Sequence, residues 1–113
     1  MHEMSLAESV REIVQETARA SGARRVAAVR LEIGKLAQVE IEAMRFAFDV
    51  GTQDSVAEGA ELVIEETEGR ARCPACGLEA PVLVFYEPCT ACGQVPQEIV
   101  AGRTMRILSL DVE

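Results

Sequence analysis

The sequence is poor in the residues on which most enzyme active sites depend. Its 113 residues include a single histidine, His2, no tryptophan, and only 4% aromatic residues. A second histidine for acid–base catalysis is absent, and the sequence contains no recognisable nucleophile–base constellation or phosphate-binding loop. We therefore expect a protein that is not an enzyme.

Long apolar runs are also missing, although hydrophobic residues make up 49% of the chain, which is enough for a folded core. No run approaches the about 20 residues of a membrane-spanning helix. The opening residues Met1 to Met4 carry an acid where a secretory leader would carry Lys or Arg. We therefore predict a cytoplasmic protein without membrane insertion.

Positive charge is unevenly distributed along this chain, whose formal net charge is −8. Residues 73–102 contain three glutamates but neither lysine nor arginine. A surface that binds the phosphate backbone needs cations, so nucleic acid is not an expected partner.

The strongest motif is a pair of Cys-x-x-Cys-Gly units, which contain all four cysteines of the chain, Cys73, Cys76, Cys89 and Cys92. Two such turns supply four thiolates to one tetrahedral ion, and the glycine after each unit permits a positive φ. Four thiolates leave no coordination position for a substrate water, so the site is predicted to be structural. Zinc is the favoured ion; iron bound as in rubredoxin, and a dithiol redox pair, are the chemical alternatives.

Hydrophobic periodicity predicts an α+β fold, a small mixed β-sheet with two helices plus an inserted zinc-ribbon-like domain. Ser5 and Glu8 have the spacing of a capping box, with Ser5 as the N-cap of the first helix, whereas neither Gln38 nor Glu40 is a preferred cap for the second. The last strand is expected to pair with the first domain. The predicted helices cover about 5–21 and 40–53, and the predicted strands lie within 26–34, 60–67 and 105–112. The domains are predicted at 1–68 with 103–113, and at 69–102.

The amino terminus offers a second metal site. The Met1 amine, the amide nitrogen between Met1 and His2, and the His2 imidazole can wrap one ion in fused chelate rings, with Glu3 or water in a fourth position. Such nitrogen donors favour Ni(II) or Cu(II). A terminal histidine without any metal role is the simpler interpretation on chemistry alone. Glu40 is a candidate for a secondary role, and a solvated acid at a helix start is its simpler interpretation.

With both features in view, the chain resembles the HypA/HybF family of hydrogenase nickel-incorporation proteins over its whole length. The resemblance is carried by the opening Met1–Ala7, by Val29–Gly34 and Arg45–Phe48, by the cysteine units, and by the tail Glu98–Arg103 with Arg106 and Ile107. The chain departs from the family pattern at Ala37, Ile41 and Thr104, none of which is a proposed ligand.

This resemblance implies a nickel metallochaperone in hydrogenase maturation. Ni(II) is then the transferable cargo, bound at Met1, His2 and Glu3, and the four cysteines hold structural Zn(II). The implied partners are a HypB-like GTPase, the [NiFe]-hydrogenase large subunit and, for some relatives, urease maturation proteins. Two other functions remain open on the residues: a zinc-ribbon adaptor for protein interactions without a nickel role, and a dithiol oxidoreductase.

Overall fold

The computed structural model describes residues 3–113, so Met1 and His2 lie outside the described residues. Within residues 3–113 there are two helices and six strands, which confirms the predicted α+β class. In chain order they are α1 Glu3–Ser21, β1 Val26–Gly34, α2 Ile41–Gly51, β2 Glu61–Thr67, β3 Gly69–Arg72, β4 Glu79–Val82, β5 Glu98–Ala101 and β6 Met105–Val112.

The first sheet has the strand order β2-β1-β6 and is mixed. Arg25 and Glu113 exchange backbone hydrogen bonds of 3.3 and 2.8 Å, so β6 ends where β1 begins and the two strands are antiparallel. The Lys35 amide donates to the Thr67 carbonyl at 2.9 Å, just beyond the end of β1 and at the end of β2, so these two strands are parallel. A parallel pair needs a crossover, and α2 supplies it. The prediction that the last strand joins the first sheet is confirmed.

Helix α1 buries one stripe of small and β-branched residues, spaced three or four apart as a helical face requires: Ala7, Val10, Val14 and Ala18. Helix α2, which packs against α1, buries Met44, Ala47 and Phe48. In β1, Val29 and Leu31 are both fully buried. The core of this part of the chain therefore lies between the helix pair and the central strand.

Both helix starts differ from the sequence-based prediction. Helix α1 begins at Glu3, which places Ser5 inside the first turn, so the assignment of Ser5 as N-cap was wrong. An acid in the first turn is favourable beside the exposed amides at a helix N-terminus, and Glu3 provides one. Helix α2 spans Ile41–Gly51, and Glu40 caps it through its own carboxylate, which accepts from Glu42 N and Ala43 N.

The second sheet is antiparallel, with the order β4-β3-β5, and β3 at its centre. Its buried core is small and consists of Leu36, Ala71 and Val82, with Phe85 and Ile99 packed against them. Ion pairs border the sheet: Arg70 contacts Glu68 at 2.8 Å and Glu79 at 3.4 Å, and Arg72 contacts Glu98 at 3.4 Å. Leu36, which follows β1, packs on this sheet although no periodic pattern in the sequence indicated it.

The chain divides into two compact units. The first comprises the described part of Met1–Glu32 together with Val39–Glu65 and Arg106–Glu113. The second comprises Ile33–Gln38 and Glu66–Met105, and it contains both cysteine turns. Within residues 3–113, neither helix has the combination of length and hydrophobicity that crossing a bilayer requires.

Two glycines of the second unit allow a close main-chain approach. A Cβ at Gly34 would overlap the backbone of Gly102, and a Cβ at Gly102 would lie 2.6 Å from Gly69 Cα and 2.5 Å from the Glu68 carbonyl oxygen. The Leu36 amide donates to the Gly102 carbonyl at 2.8 Å at the same place. Because only backbone atoms form this contact, no side-chain rotation can relieve the overlap.

We predict that Gly34→Ala lowers the free energy of unfolding by about 2 kcal/mol or more, since overpacking against rigid backbone is costly. Thermal unfolding followed by circular dichroism measures the change. Gly51→Ala is the matched control, because its Cβ would meet Ala7 Cβ at an ordinary 3.5 Å. Equal midpoints for the two variants would contradict the prediction.

Candidate metal centre

The four cysteines lie on two turns that leave and re-enter the second sheet. Cys73 directly follows β3, and Cys76 completes the turn before β4. Cys89 and Cys92 lie in the segment between β4 and β5. Because β3 pairs with both β4 and β5, the sheet brings the two turns to the same end.

The two turns have the same hydrogen-bond pattern. In the first, the Gly77 amide donates to the Cys73 carbonyl at 2.8 Å; in the second, the Gly93 amide donates to the Cys89 carbonyl at 2.8 Å. Gly77 and Gly93 have φ angles of 78° and 76°, a region that L side chains seldom adopt. The glycine after each Cys-x-x-Cys unit therefore has the positive φ expected from the sequence.

Distances between sulfur atoms fit one tetrahedral ion. All four Sγ atoms lie within 4.8 Å of one another. The Cys73–Cys92 and Cys76–Cys89 sulfur pairs are 3.5 and 3.6 Å apart. A tetrahedral zinc with bonds of about 2.3 Å requires sulfur pairs about 3.8 Å apart, whereas a disulfide requires about 2.05 Å. The cluster fits a zinc site, and all four cysteines are free of disulfides.

Backbone amides favour the thiolate form at the first cysteine of each turn. The Cys76 amide, followed by that of Ala75, lowers the pKa of Cys73. The Cys92 amide, followed by that of Ala91, lowers the pKa of Cys89 to about 6. An ion bound by thiolates requires this deprotonated state, so the turns are prepared for a cation.

The second cysteine of each turn differs because the other thiols oppose its ionisation. The Gln94 amide lowers the pKa of Cys92, but the hydrogen bond with Cys73, burial and the remaining thiols outweigh it and raise the pKa to about 12. At Cys76 the Leu78 amide is likewise outweighed, and the pKa is raised. Four thiols this close cannot all ionise without a cation among them, which is the electrostatic reason for a metal here.

Burial also distinguishes the first cysteine of each turn from the second. Cys73 and Cys89 are 1% and 4% exposed, whereas Cys76 and Cys92 lie at the surface. An ion can therefore enter from the solvent side, while two of its four donors are fixed against the sheet. Four sulfur donors fill a tetrahedral shell, so the arrangement is suited to holding a structural ion and leaves no position for a reacting molecule.

Of the predicted amino-terminal ligands, the described residues include only Glu3; Met1 and His2 lie outside them. Glu3 lies in the first turn of α1, and its carboxylate accepts a hydrogen bond from the Glu40 amide at 3.3 Å. The Glu40 carboxylate accepts from Glu42 N at 3.3 Å and from Ala43 N at 2.7 Å. Glu40 is thus a helix cap. It was not predicted as one because glutamate is not among the preferred N-cap residues.

A turn between β4 and the second cysteine unit exposes three large apolar side chains. Leu83, Val84 and Tyr86 are 79%, 59% and 78% exposed. The turn is fixed in shape because the Glu87 carboxylate accepts from the Leu83 amide at 2.6 Å and Gln97 donates to the Glu87 carbonyl at 2.9 Å. This surface was not among the predicted sites, although the run of apolar residues in this turn could have indicated it.

We predict that Cys89→Ser lowers zinc affinity by more than about 100-fold, because a neutral hydroxyl replaces one of four thiolate donors. Native mass spectrometry and a competing chelator measure zinc content and affinity. Thr90→Ala is the matched control, since Thr90 lies in the same turn and supplies no sulfur. Full zinc retention in the serine variant would contradict a four-cysteine site.

Comparison with known proteins agrees with this geometry. Residues 1–112 match the family described as hydrogenase/urease nickel incorporation, metallochaperone, hypA. The "Hydrogenase maturation factor HypA" of Chlorobaculum tepidum is 49% identical over 113 residues, covering 100% of both chains. The protein of the same name from Geobacter metallireducens is 47% identical over the same length, again covering 100% of both chains.

Solved structures give the same result for the fold. The solution structure of the nickel metallochaperone HypA from Helicobacter pylori superimposes with a TM-score of 0.74 at 27% identity, covering 99% of this chain and 97% of that one. The resemblance inferred from the sequence is confirmed. A family of metallochaperones is not a family of enzymes, so the prediction of a non-enzymatic protein is confirmed and the oxidoreductase alternative is wrong.

Proposed function

Because the chain belongs to the HypA family of nickel-incorporation metallochaperones that act in hydrogenase maturation, we propose that it captures Ni(II) at its own amino terminus and delivers it to a [NiFe]-hydrogenase. The ligands in this proposal are the Met1 amine, the amide nitrogen between Met1 and His2, the His2 imidazole, and Glu3. The whole-length family match is the observation that carries the proposal.

The donor chemistry supports nickel at this terminus. Amine, deprotonated amide and imidazole form the nitrogen-rich, square-planar field that Ni(II) favours. His2 is the only histidine of the chain, so no other imidazole competes for the ion. The terminal amine and the amide nitrogen must each lose a proton before they bind, and the imidazole must be neutral, so release at lower pH makes capture reversible, as a cargo site requires.

Among the proposed nickel ligands, Glu3 is the one that the structure describes. Its position in α1 and the hydrogen bond from the Glu40 amide hold its carboxylate at the start of two helices. The Glu40 carboxylate is already engaged by two amides of α2, so Glu40 contributes a backbone donor that positions Glu3. A negative charge at this point favours a cation bound next to it.

In this proposal the second unit has a structural role. Cys73, Cys76, Cys89 and Cys92 hold Zn(II), which supplies the four-coordinate centre that fixes both turns. The proposed domains are a nickel-binding domain of residues 1–68 and 103–113 and an inserted zinc domain of residues 69–102. The proposed partners are a HypB-like GTPase and the hydrogenase large subunit, with urease maturation proteins as further candidates, in the cytoplasm.

We predict that His2→Ala lowers Ni(II) affinity by about 100-fold or more, since it removes the imidazole and one chelate ring. Isothermal titration of the untagged, zinc-loaded protein measures the affinity. Glu12→Ala is the control, because it makes the same replacement by alanine at an exposed position further along α1. Zinc content should stay at one ion per chain in both variants.

The same titration tests the alternative function, a zinc-ribbon adaptor without a nickel role. Under that function the His2 variant binds nickel as the parent protein does, and its zinc is unchanged. Unchanged nickel affinity would therefore refute the amino-terminal site and favour the adaptor.

A one-residue extension before Met1 gives an independent prediction. It moves the free amine away from the chelate, so the square-planar absorption of bound Ni(II) should disappear while zinc remains bound. Absorption spectroscopy with increasing Ni(II) follows the change. Retention of the square-planar spectrum in the extended protein would exclude the Met1 amine as a ligand.

A further inference from the structure

The second unit has an apolar cleft beside the exposed turn that follows β4. The cleft has a volume of about 310 Å³ and is lined by Lys35, Leu36, Gln38 and the turn residues 83–86. All of these residues belong to the second unit, so the cleft is formed within one compact unit. Its volume is at the small end of the range of ligand pockets, about 300–1,000 Å³, and suits the anchoring side chain of a larger partner.

Burial separates the floor of the cleft from its rim. Leu36 is 3% exposed, and Phe85 packs against the same small core. The rim consists of the exposed side chains of the turn, Leu83, Val84 and Tyr86. The apolar surface therefore extends beyond the cleft itself. This extension favours a protein segment over a small molecule, which a pocket would have to enclose.

The main chain beside the cleft is closed to a further β-strand. Strand β4 is an edge of the second sheet, but Pro81 within it has no amide hydrogen. The Leu83 amide donates to the Glu87 carboxylate at 2.6 Å, so this donor is engaged as well. A partner must therefore dock through side chains. A helix suits this mode of docking because it satisfies its own backbone hydrogen bonds.

The charge beside the cleft indicates the chemistry of the occupant. Lys35 is the only lysine of the chain, its side chain is exposed, and no described residue forms an ion pair with it. Arg70 and Arg72 of the same unit are, by contrast, both paired with glutamates. The acid of the turn, Glu87, already accepts from a main-chain amide. An unpaired cation next to an apolar cleft complements a carboxylate next to an apolar side chain.

We propose that this cleft docks an amphipathic helix of a partner protein, with a large apolar side chain in the cleft over Leu36 and Phe85 and an acidic side chain facing Lys35. The rim side chains of the turn cover the remainder of the apolar face of that helix. None of the four cysteines lines the cleft. The inference does not rest on nickel capture at the amino terminus, and it gives the second unit a role besides holding zinc.

Titration of the full-length, zinc-loaded, isotope-labelled chain with helical peptides tests the proposal by NMR. The probe is an end-capped, alanine-based peptide with leucines along one face and glutamates beside them; in the control peptide lysines replace the glutamates. The acidic probe should bind at least about tenfold more tightly. Its amide shift changes should centre on Lys35, Leu36 and residues 83–87. Equal affinity for the two peptides, binding of neither, or shifts centred elsewhere would overturn the proposal.

Reversing the charge of the cleft tests the assigned role of Lys35. Lys35→Glu should weaken binding of the acidic probe by about tenfold or more and strengthen binding of the lysine peptide, because the unlike charges are exchanged. Arg103→Glu is the matched control, since it makes the same change in net charge at an exposed residue of the same unit that does not line the cleft. Equal effects of the two variants would overturn the role of Lys35.

A second pair of variants tests the apolar part of the surface. Val84→Ser should weaken binding of the acidic probe severalfold, because it removes an apolar contact at a side chain that is 59% exposed. Val100→Ser makes the same replacement in β5 of the same unit, at 37% exposure, and should leave the affinity unchanged. Zinc content and circular dichroism confirm that each variant is folded. Equal weakening by the two replacements would contradict docking at the turn.

The unmodified protein distinguishes two other occupants. If a second copy of the chain covers the turn, the amide shifts of residues 83–87 change with protein concentration in the absence of peptide. If a small carboxylate amphiphile occupies the cleft, decanoate binds as tightly as the acidic probe and competes with it. Either result would overturn the helix as occupant, whereas concentration-independent shifts and weak binding of decanoate support it.

Discussion

The second unit depends on the convergence of four sulfur atoms more than on its apolar core. Its buried core consists of Leu36, Ala71 and Val82, with two partly buried neighbours. So little buried surface stabilises a three-stranded sheet only weakly, and small domains commonly compensate with a metal. The sulfur atoms lie within 4.8 Å of one another, and their electrostatic repulsion when ionised is relieved by a cation. The metal is thus a folding element of this unit.

The site was predictable where its geometry is local. A Cys-x-x-Cys-Gly turn carries its ligands, its hydrogen bonds and its positive φ within five residues, so the sequence determined both turns. The alternation in β1 and the apolar stripe of α1 are local in the same sense. Leu36 is different: a short apolar segment after Gly34 has no period that assigns it to either sheet, and only the folded chain shows it at 3% exposure beside Ala71.

Errors at the helix starts have a common physical origin. Capping rules favour small polar residues, so Ser5 was assigned as the cap of α1 and Glu40 was not recognised as the cap of α2. In the folded chain the side chain of Glu40 is long enough to reach an amide of α2. The carboxylate of Glu3 accepts a hydrogen bond from the Glu40 amide, which lies 37 positions away in the sequence. A rule built on neighbouring residues cannot include a donor supplied by a distant helix. The family resemblance, by contrast, drew on residues along the entire chain and was correct.

The contact between Gly34 and Gly102 has a consequence for how this sequence can evolve. A side chain at Gly34 meets main-chain atoms of Gly102, and a side chain at Gly102 meets the Glu68–Gly69 segment, so the backbone of Gly102 takes part in both contacts. A substitution at Gly34 that displaces Gly102 also changes the space available to a side chain at Gly102. The effects of the two substitutions should therefore depart from additivity, and the two positions form one epistatic pair although they lie far apart in the sequence.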